Sequence, residues 1–441
     1  MKLLTKTLFL TSGFLLLAFP ESLSALAMFS KQTGKSCVAC HMQNIPKLNS
    51  YGREFSLSGY TFYDKNTTSE SLVEGSEVPL GLPSTLNASL VLKGHFIKTN
   101  QEETSTSGDL VGNGSDGEYQ LLNGSGVYMG GRISDNFGAL VSLQGDSADT
   151  SNIVYKGKII MSYPVMNGYG YGGMALSSTE LNGIFWGMEN HNTGLNAALK
   201  QFENAYATNA AQATGIGNGP ATSLQAYYGN KNFFITAGAA LPSQNSEGID
   251  AGESFLPFWR ISYELPIKNW NFMIGAYGFE GDIKASDQSL NTAATIDGNA
   301  NLVNVRKDGY GFDLEMSGAL FDMSTMLTLN HVEKNVVDVH PLSSLTSYHL
   351  QKTNNKATSA ELQINPILDL GLKVAYLNYE NKEATATNQK FIKNYDYDAY
   401  TFGVNYSVRQ NILLSVDYSR YEAKSHIGNY DNVYVAAVLV F

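Results

Sequence analysis

The sequence is poor in charge, since Asp, Glu, Lys and Arg together make up only 16% of its 441 residues. It has no run of Lys and Arg that could follow a phosphate backbone, and its formal net charge is −11. Nucleic-acid binding therefore has no electrostatic support. Beyond residue 27 the sequence also lacks any apolar run of the ~18 residues that a membrane-spanning helix requires.

What the sequence does contain favours strands and turns. It has 42 Gly and 26 Tyr, and 43% of its residues are hydrophobic. This balance differs from the Ala, Glu, Lys and Leu composition of helical proteins. The length suffices for one large domain or two ordinary ones, so we predict an all-β protein with a sizeable buried surface.

The first residues predict export. Lys2 and Lys6 precede an apolar stretch over 8–19, and residues 25–27 place alanines at the −3 and −1 positions of a cleavage site. We therefore predict a signal peptide over 1–27. An exported chain without a spanning helix is periplasmic, secreted, or spans a membrane as a β-barrel.

From residue 85 to residue 441 the sequence alternates between apolar and polar positions, as strands with two different faces do. The alternation is clear over 90–96, 370–377, 400–408 and 412–419. A polar stretch over 64–84 precedes it, and we interpret that stretch as a connector. Alternation alone does not separate a soluble sandwich from a barrel, because both have one apolar face.

The lengths of the connections separate these two folds. Short turns are predicted at 134–136, 229–232, 266–269, 366–368 and 409–410. Long polar loops are predicted near 99–118, 204–221, 242–254, 280–306, 333–356, 380–396 and 423–431. Short periplasmic turns on one rim and long extracellular loops on the other are typical of outer-membrane barrels. We predict an antiparallel transmembrane barrel of about 16 strands, possibly 18, surrounded by outer-membrane lipid, with both termini periplasmic.

The only two cysteines, Cys37 and Cys40, are followed directly by His41. Cys-x-x-Cys-His is the spacing for covalent attachment of haem c, because two thiols three residues apart lie on one helical face and the next imidazole can bind the iron. The alternatives are a structural disulfide and a thioredoxin-like redox pair, neither of which needs the histidine. The motif predicts one covalent haem in a segment over 28–63, which could lie in the barrel lumen as a plug.

The second axial ligand of such a haem is not evident from the motif. Met42 shares the local helix with His41 and cannot reach the opposite haem face. His95 is a candidate, since the apolar residues around it have the other parity and it should face the lumen. The remaining histidines are scattered at 191, 331, 340, 349 and 426, which argues against a further haem or a metal cage.

The N-terminal residues resemble those of the outer-membrane cytochrome–porin fusions, best known as iron oxidases of Fe(II)-oxidising bacteria. The resemblance covers about 30 residues: 29–41 with the haem motif, then 46–48, 51–55 and 59–60. It implies one haem c, a porin of about 16 strands, and electron flow from extracellular Fe(II) to a periplasmic c-type cytochrome or other carrier. Arg53 could pair with a haem propionate or be a solvated surface arginine. The family keeps such a residue, so the resemblance favours the pairing.

Three functions remain open at this point. The chain could be an electron conduit, a diffusion porin with a regulatory or sensory haem, or an open-site haem enzyme acting on a small molecule. No catalytic triad or paired-carboxylate cleft is evident, which counts against the enzyme more than against the conduit. If the conduit is classed as an enzyme, it is an Fe(II):cytochrome c oxidoreductase.

Two of the predicted loops are acidic without a single Lys or Arg, those over 99–118 and 242–254. Hard Fe(II) prefers oxygen ligands, and a negative field raises the local concentration of a cation. Two hypotheses follow: the loops attract extracellular Fe(II), or they are acidic because extracellular loops must stay solvated.

Overall fold

The computed structural model describes most of the chain. The described ranges are 27–41, 48–64, 87–101, 117–122, 125–145, 153–179, 209–214, 216, 221–242, 256–286, 302–341, 348–384, 396–409, 411–424 and 429–441. Apart from single residues at their edges, the predicted signal peptide and connector lie outside these ranges. So do residues 102–116 and 243–254 of the two acidic loops.

Seventeen strands form within the described ranges. They are β1 (Ala88–Gln101), β2 (Glu118–Leu121), β3 (Gly126–Ser134), β4 (Phe137–Gly145), β5 (Ile153–Val165), β6 (Gly170–Thr179), β7 (Ala221–Gly229), β8 (Phe233–Pro242), β9 (Leu256–Ile267), β10 (Trp270–Ser286), β11 (Leu302–Leu320), β12 (Met323–Pro341), β13 (Tyr348–Ile367), β14 (Leu370–Ala384), β15 (Tyr397–Arg409), β16 (Ile412–Ala423) and β17 (Tyr430–Val440).

The described helices are few and short. They are α1 (Ala27–Thr33), a 3-10 turn (Cys37–Ala39), α2 (Ser50–Leu57) and α3 (Ala210–Thr214). None of the helices in the described part of the chain is long and apolar enough to cross a membrane.

The strands close into one antiparallel barrel. From β3 onward each strand pairs with the next in sequence, and β17 returns to pair with β1, with Val91 opposite Val440. Both β2 and β3 pair with β1, over its residues 94–97 and 88–91, so they are two halves of one interrupted wall strand. The wall therefore has 16 strands, which confirms the predicted count and makes the alternative of 18 wrong.

The two rims of the barrel differ as predicted. Seven connections of two to four residues lie on one side, which we call the short-turn rim, and the connections of six or more residues lie on the other, the loop rim. All five predicted turns are confirmed, and two further turns occur at 166–169 and 321–322. In the turn at 321–322 both residues, Phe321 and Asp322, have positive φ angles. Because this turn contains neither Gly nor Pro, the sequence did not indicate it.

Three of the predicted loops are shorter in the structure than the sequence indicated. Strands occupy much of 280–306, 333–356 and 380–396, because β10 to β14 reach 15 to 20 residues in length. An apolar band of only about 25 Å has to face lipid. Beyond that band neither face of a strand must be apolar, so the alternation that predicts strands is lost there.

The outer face of the wall is apolar, and the inner face carries most of the polar side chains. On β15, Phe402 and Val404 are 55% and 43% exposed on the outside, whereas Thr401 is 2% exposed and faces inward. Large exposed apolar side chains recur at alternate positions on the other strands, as expected of a lipid-facing band. The predicted alternation is thus confirmed, with the lumen side polar.

The apolar band ends toward the loop rim in a belt of charges on the outer face. On β12 the outward residues change from Leu329 to His331 and Glu333. There Glu333 accepts a hydrogen bond from the Tyr310 hydroxyl at 2.7 Å and pairs with Lys356. Two similar tyrosine–carboxylate pairs occur on later strands, Tyr376 with Asp398 and Tyr418 with Asp431.

A short part of one long connection lies inside the barrel near the loop rim. The backbone N–H of Ala210, at the start of α3, donates to the Ser359 hydroxyl at 2.9 Å. Lys334 donates to the carbonyl of Thr214 at 3.1 Å. These contacts, and the burial of Ile216 against the wall, narrow the upper part of the lumen.

Candidate functional site

The two cysteines and His41 lie within one helical turn, which we call the haem turn (residues 37–41). The backbone N–H of Cys40 and that of His41 both donate to the carbonyl of Cys37, at 3.1 Å and 3.0 Å. Both cysteines are half-buried and are not joined in a disulfide. The turn therefore presents the residue types that bind haem c in the spacing that attachment requires.

The surroundings of the Cys40 thiol favour its neutral form. Burial, together with the neighbouring Cys37, raises its pKa to about 11, and the opposing effect of Lys35 is smaller. A thiol whose pKa is raised above its usual value is protonated at neutral pH.

Asn49 fixes the haem turn to helix α2. Its side-chain oxygen accepts from the backbone of Gly52 at 3.0 Å and caps the helix, while its side-chain nitrogen donates to the carbonyl of Ala39 at 3.1 Å. Its backbone N–H donates to the carbonyl of Cys40 at 2.9 Å. One asparagine thereby ties the attachment residues to the rest of the segment.

Gly52 is needed for close packing and not for a turn. It lies inside α2, and a Cβ added there would meet the Cys40 carbonyl oxygen at less than 3.0 Å. The glycine therefore permits close packing of the haem turn on the helix. Gly34, by contrast, has φ +64° just after α1 and does form a turn.

The N-terminal segment, described over 27–41 and 48–64, lies inside the barrel at the short-turn rim. Its aromatic core contains Phe29, Phe55 and Tyr60, whose ring centroids lie 4.9 to 5.4 Å apart. This core packs on inward-facing wall residues such as Ile160 and Phe234, both fully buried. Seating therefore buries the apolar face of a segment too short to form a large core of its own.

Glycines in the wall make room for the segment. An added Cβ at Gly138 would meet the carbonyl oxygen of Gly59, and one at Gly229 would meet the side chain of Leu57, each at less than 3.0 Å. The carbonyl of Leu57 accepts hydrogen bonds from Ser162 at 2.8 Å and from Tyr227 at 2.7 Å. Wall and segment are thus complementary in shape and in polar contacts.

A buried ion pair crosses the same interface. Arg53 is 5% exposed and donates to Glu264 on β9 at 2.6 Å, and its guanidinium lies 3.5 Å from Glu315 on β11. Ser50 adds a hydrogen bond to Glu264 at 2.9 Å. The guanidinium of Arg53 therefore holds the segment against the wall through ion pairs. Its pairing with a haem propionate stays a prediction.

Replacing Arg53 should loosen the segment more than replacing an exposed arginine. Arg53→Met removes the charge and leaves Glu264 buried without it, which costs about 3–5 kcal/mol for pairs of this kind. Arg420→Met is the matched control, because Arg420 and its partner Glu422 on β16 are 34% and 48% exposed and such pairs contribute at most about 1 kcal/mol. The urea concentration at which protease cleaves the segment should fall for the first variant only. Equal sensitivity of both would contradict the assigned contact.

A cavity of about 340 Å³ opens beside the haem turn. It lies between the first turn of α2, including Tyr51, and the wall residues Asn269, Asn271 and Ser317. Asn269 belongs to the connection between β9 and β10, so the cavity is at the short-turn rim. Lys35 lies over the Tyr51 ring at 5.5 Å, beside the cysteines.

His95 lies on the inner face of β1, as its parity suggested. It is in register with the buried Ala436, and its ring is 5.0 Å from that of Tyr434. Helix α2 contacts β9 and β11, which lie across the barrel from β1. Its role as distal ligand stays a prediction.

One group of polar residues was missed because it lies in a predicted loop. His340 on β12 is directly opposite His349 on β13, and Asp338 is opposite Gln351. The alternation of valine and polar residues over 336–340 was the available signal. Two of the histidines described as scattered in the sequence are therefore neighbours in the fold.

No protein-family model and no curated protein matches the sequence. Among solved structures, the chain is similar to OmpT of Vibrio cholerae expressed in the outer membrane, at 11% identity and a TM-score of 0.47, over 81% of this chain and 98% of that one. It is similar to the anion-selective porin from Comamonas acidovorans at 12% identity and a TM-score of 0.44, over 81% and 99%. It is also similar to OccK8 of Pseudomonas aeruginosa at 10% identity and a TM-score of 0.41, over 80% and 97%. Likenesses of this size carry no functional conclusion, and the barrel rests on its own strand register.

Proposed function

We propose that the chain is an outer-membrane electron conduit. It passes single electrons from an extracellular donor, in the first place Fe(II), through one haem c to a periplasmic carrier. The observation that carries this proposal is the haem turn built into a segment that fits the barrel wall. A diffusion channel needs no such segment, whereas a conduit needs a redox centre fixed within the membrane protein.

The residues of the haem turn fit the proposed group. Cys37 and Cys40 would hold haem through thioether bonds, and His41 would be its proximal ligand. When bound, the haem iron supplies a one-electron redox centre. Asn49 and Gly52 would keep the attachment turn in one position relative to the barrel, since they already tie it to α2.

The position of the N-terminal segment in the barrel is relevant to the direction of electron transfer. Short turns are periplasmic in barrels of this kind, so the segment would be at the periplasmic mouth. The cavity beside Tyr51 opens there and would bring a periplasmic carrier close to the haem turn. An extracellular donor, by contrast, would have to enter from the loop rim past α3. The proposal therefore favours a small ion such as Fe(II) over a protein as the donor.

The second candidate is a diffusion porin whose haem is regulatory. The 16-stranded wall and its polar lumen favour it, since barrels of this size commonly form aqueous channels. Its requirement is a continuous path through the lumen, which the seated segment and α3 both restrict. Single-channel conductance distinguishes the two functions.

The conduit is tested by anaerobic mixing of purified protein with Fe(II). We expect the haem absorption to change to that of the reduced form, with one Fe(III) produced for each haem reduced. Ascorbate or dithionite provides the control for a reducible haem. A haem that dithionite reduces and Fe(II) leaves oxidised would rule out Fe(II) as the donor.

A further inference from the structure

The cavity beside the haem turn is lined by hydrogen-bond donors. Its lining residues are Asn49, Ser50, Tyr51, Arg53, Asn269, Asn271, Ser317 and Gly318. Each of them except the glycine has a side-chain donor, and none is acidic. The chain as a whole has a formal net charge of −11, so a lining without a carboxylate is not a consequence of composition. Such a set of residues suits an anion that accepts several hydrogen bonds.

Two of these donors are neighbours on the barrel wall. Asn271 of β10 is directly opposite Ser317 of β11 in the strand register. Ser317 is only 5% exposed, and its hydroxyl has no hydrogen-bond partner among the residues that the structure describes. Leaving a buried polar group without a partner costs free energy, and most such groups in proteins are bonded. An acceptor bound in the cavity would remove this cost.

Helix α2 begins at the same cavity. Its N-cap residue Asn49 and the first-turn residues Ser50 and Tyr51 all contribute to the lining. The first N–H groups of a helix have no acceptor within the helix, and the helix dipole favours a negative charge near them. The N-terminus of α2 therefore adds backbone donors to those of the wall.

The arginine of the lining is already engaged by other groups. Arg53 donates to Glu264 at 2.6 Å and to the carbonyl of Leu48 at 3.1 Å, and its guanidinium lies 3.5 Å from Glu315. The two carboxylates offset the charge of the guanidinium, and neither belongs to the lining. The donors with capacity for a ligand are therefore the neutral ones.

We propose that this cavity binds a carboxylate, a propionate of the haem, through Asn271, Ser317 and the first turn of α2. The haem turn is next to the cavity, because Asn49 both lines it and donates to the carbonyl of Ala39 at 3.1 Å. At about 340 Å³ the cavity is smaller than a porphyrin and large enough for a carboxylate side chain. This assignment rests on the proposed function, which requires the haem. It gives neutral donors the role that the resemblance suggested for Arg53.

The test reads the haem of the full-length protein in detergent. Ser317→Ala and Asn271→Leu each remove one donor, so the propionate bending band in the resonance Raman spectrum should shift to lower frequency in both. The reduction potential should fall as well, because a propionate charge held by fewer donors stabilises the ferric state more strongly. Ser415→Ala on β16 is the matched control, since its hydroxyl is also buried and without a partner but lies outside the cavity. Both readings should keep their wild-type values there.

Three results would overturn the site. They are an unchanged band in both donor variants, a band that moves only in Arg53→Met, and a band that responds to added acetate in place of the variants. The second would assign the propionate to the guanidinium, and the third would assign the cavity to a free carboxylate. The heat-dependent mobility of the barrel checks that each variant is folded.

The same readings separate this site from the conduit, because they need the haem and do not need Fe(II). Shifted bands in a protein whose haem Fe(II) does not reduce would refute the conduit and leave the site standing. Unchanged bands in a protein whose haem Fe(II) does reduce would refute the site and leave the conduit standing. A wild type without haem would refute both.

Discussion

A Cys37→Ala variant is expected to carry no stably bound haem and to lose electron transfer entirely, while its barrel assembles normally. The thiol is one of two that would tether the cofactor, and the segment offers little other protein to hold it. Barrel closure depends on the pairing of β1 with β17 and not on the haem turn. Haem staining after denaturing electrophoresis measures the first effect, and the heat-dependent mobility of the barrel measures the second.

Ser36→Ala is the matched control for this experiment, since Ser36 is exposed and directly precedes the motif. It should stain at wild-type intensity. Cys40→Ala and His41→Ala should resemble Cys37→Ala. Wild-type haem staining of Cys37→Ala would refute covalent attachment at this motif, and loss of the barrel itself would show that the segment is needed for assembly.

Deletion of residues 28–63 is expected to convert a poorly conducting barrel into an open channel. The segment occupies the lumen at the short-turn rim, with Leu57 and Tyr60 almost fully buried against the wall. A wall of 16 strands is wide enough for an aqueous channel once that segment is gone. Planar-bilayer recording should show low conductance for the wild type and a several-fold larger single-channel current for the deletion.

Gly138→Ala provides a milder version of the same test. Its new methyl group would meet the backbone of Gly59, which cannot give way as a flexible side chain could, and overpacking of this kind costs about 1–3 kcal/mol. Gly157→Ala on β5 is the control, because the nearest atom to its Cβ lies at 3.7 Å. Only Gly138→Ala should show frequent channel openings in planar-bilayer recording. Equal conductance of wild type and deletion would mean that the segment does not close the lumen.

The barrel could be predicted because lipid imposes a pattern on the sequence. Every strand that crosses the apolar band must alternate, so Phe402, Val404 and their neighbours identified their strand without ambiguity. Above the band that requirement ends, and the outer parts of β12 and β13 carry no comparable signal. Because the alternation is lost there, the sequence did not indicate that His340 and His349 are opposite each other in the β12–β13 register.

The haem turn could be predicted because its chemistry is local, with Cys37, Cys40 and His41 in five consecutive residues. The position of this segment inside the barrel could not be predicted. The contact of Arg53 with Glu264 joins residues 211 positions apart, and the role of Gly138 depends on a backbone carbonyl 79 positions away in sequence. Such contacts follow from how the segment enters the lumen, which no spacing within the sequence specifies.

We propose that this chain carries electrons across a membrane through a haem held by its N-terminal segment. The most direct measurement uses sealed proteoliposomes that contain the protein in the membrane and oxidised cytochrome c inside, with Fe(II) added outside under anaerobic conditions. The account predicts reduction of the entrapped cytochrome c with the wild type and none with Cys37→Ala. Entrapped cytochrome c that stays oxidised with the wild type, or is reduced equally fast with Cys37→Ala, would contradict it.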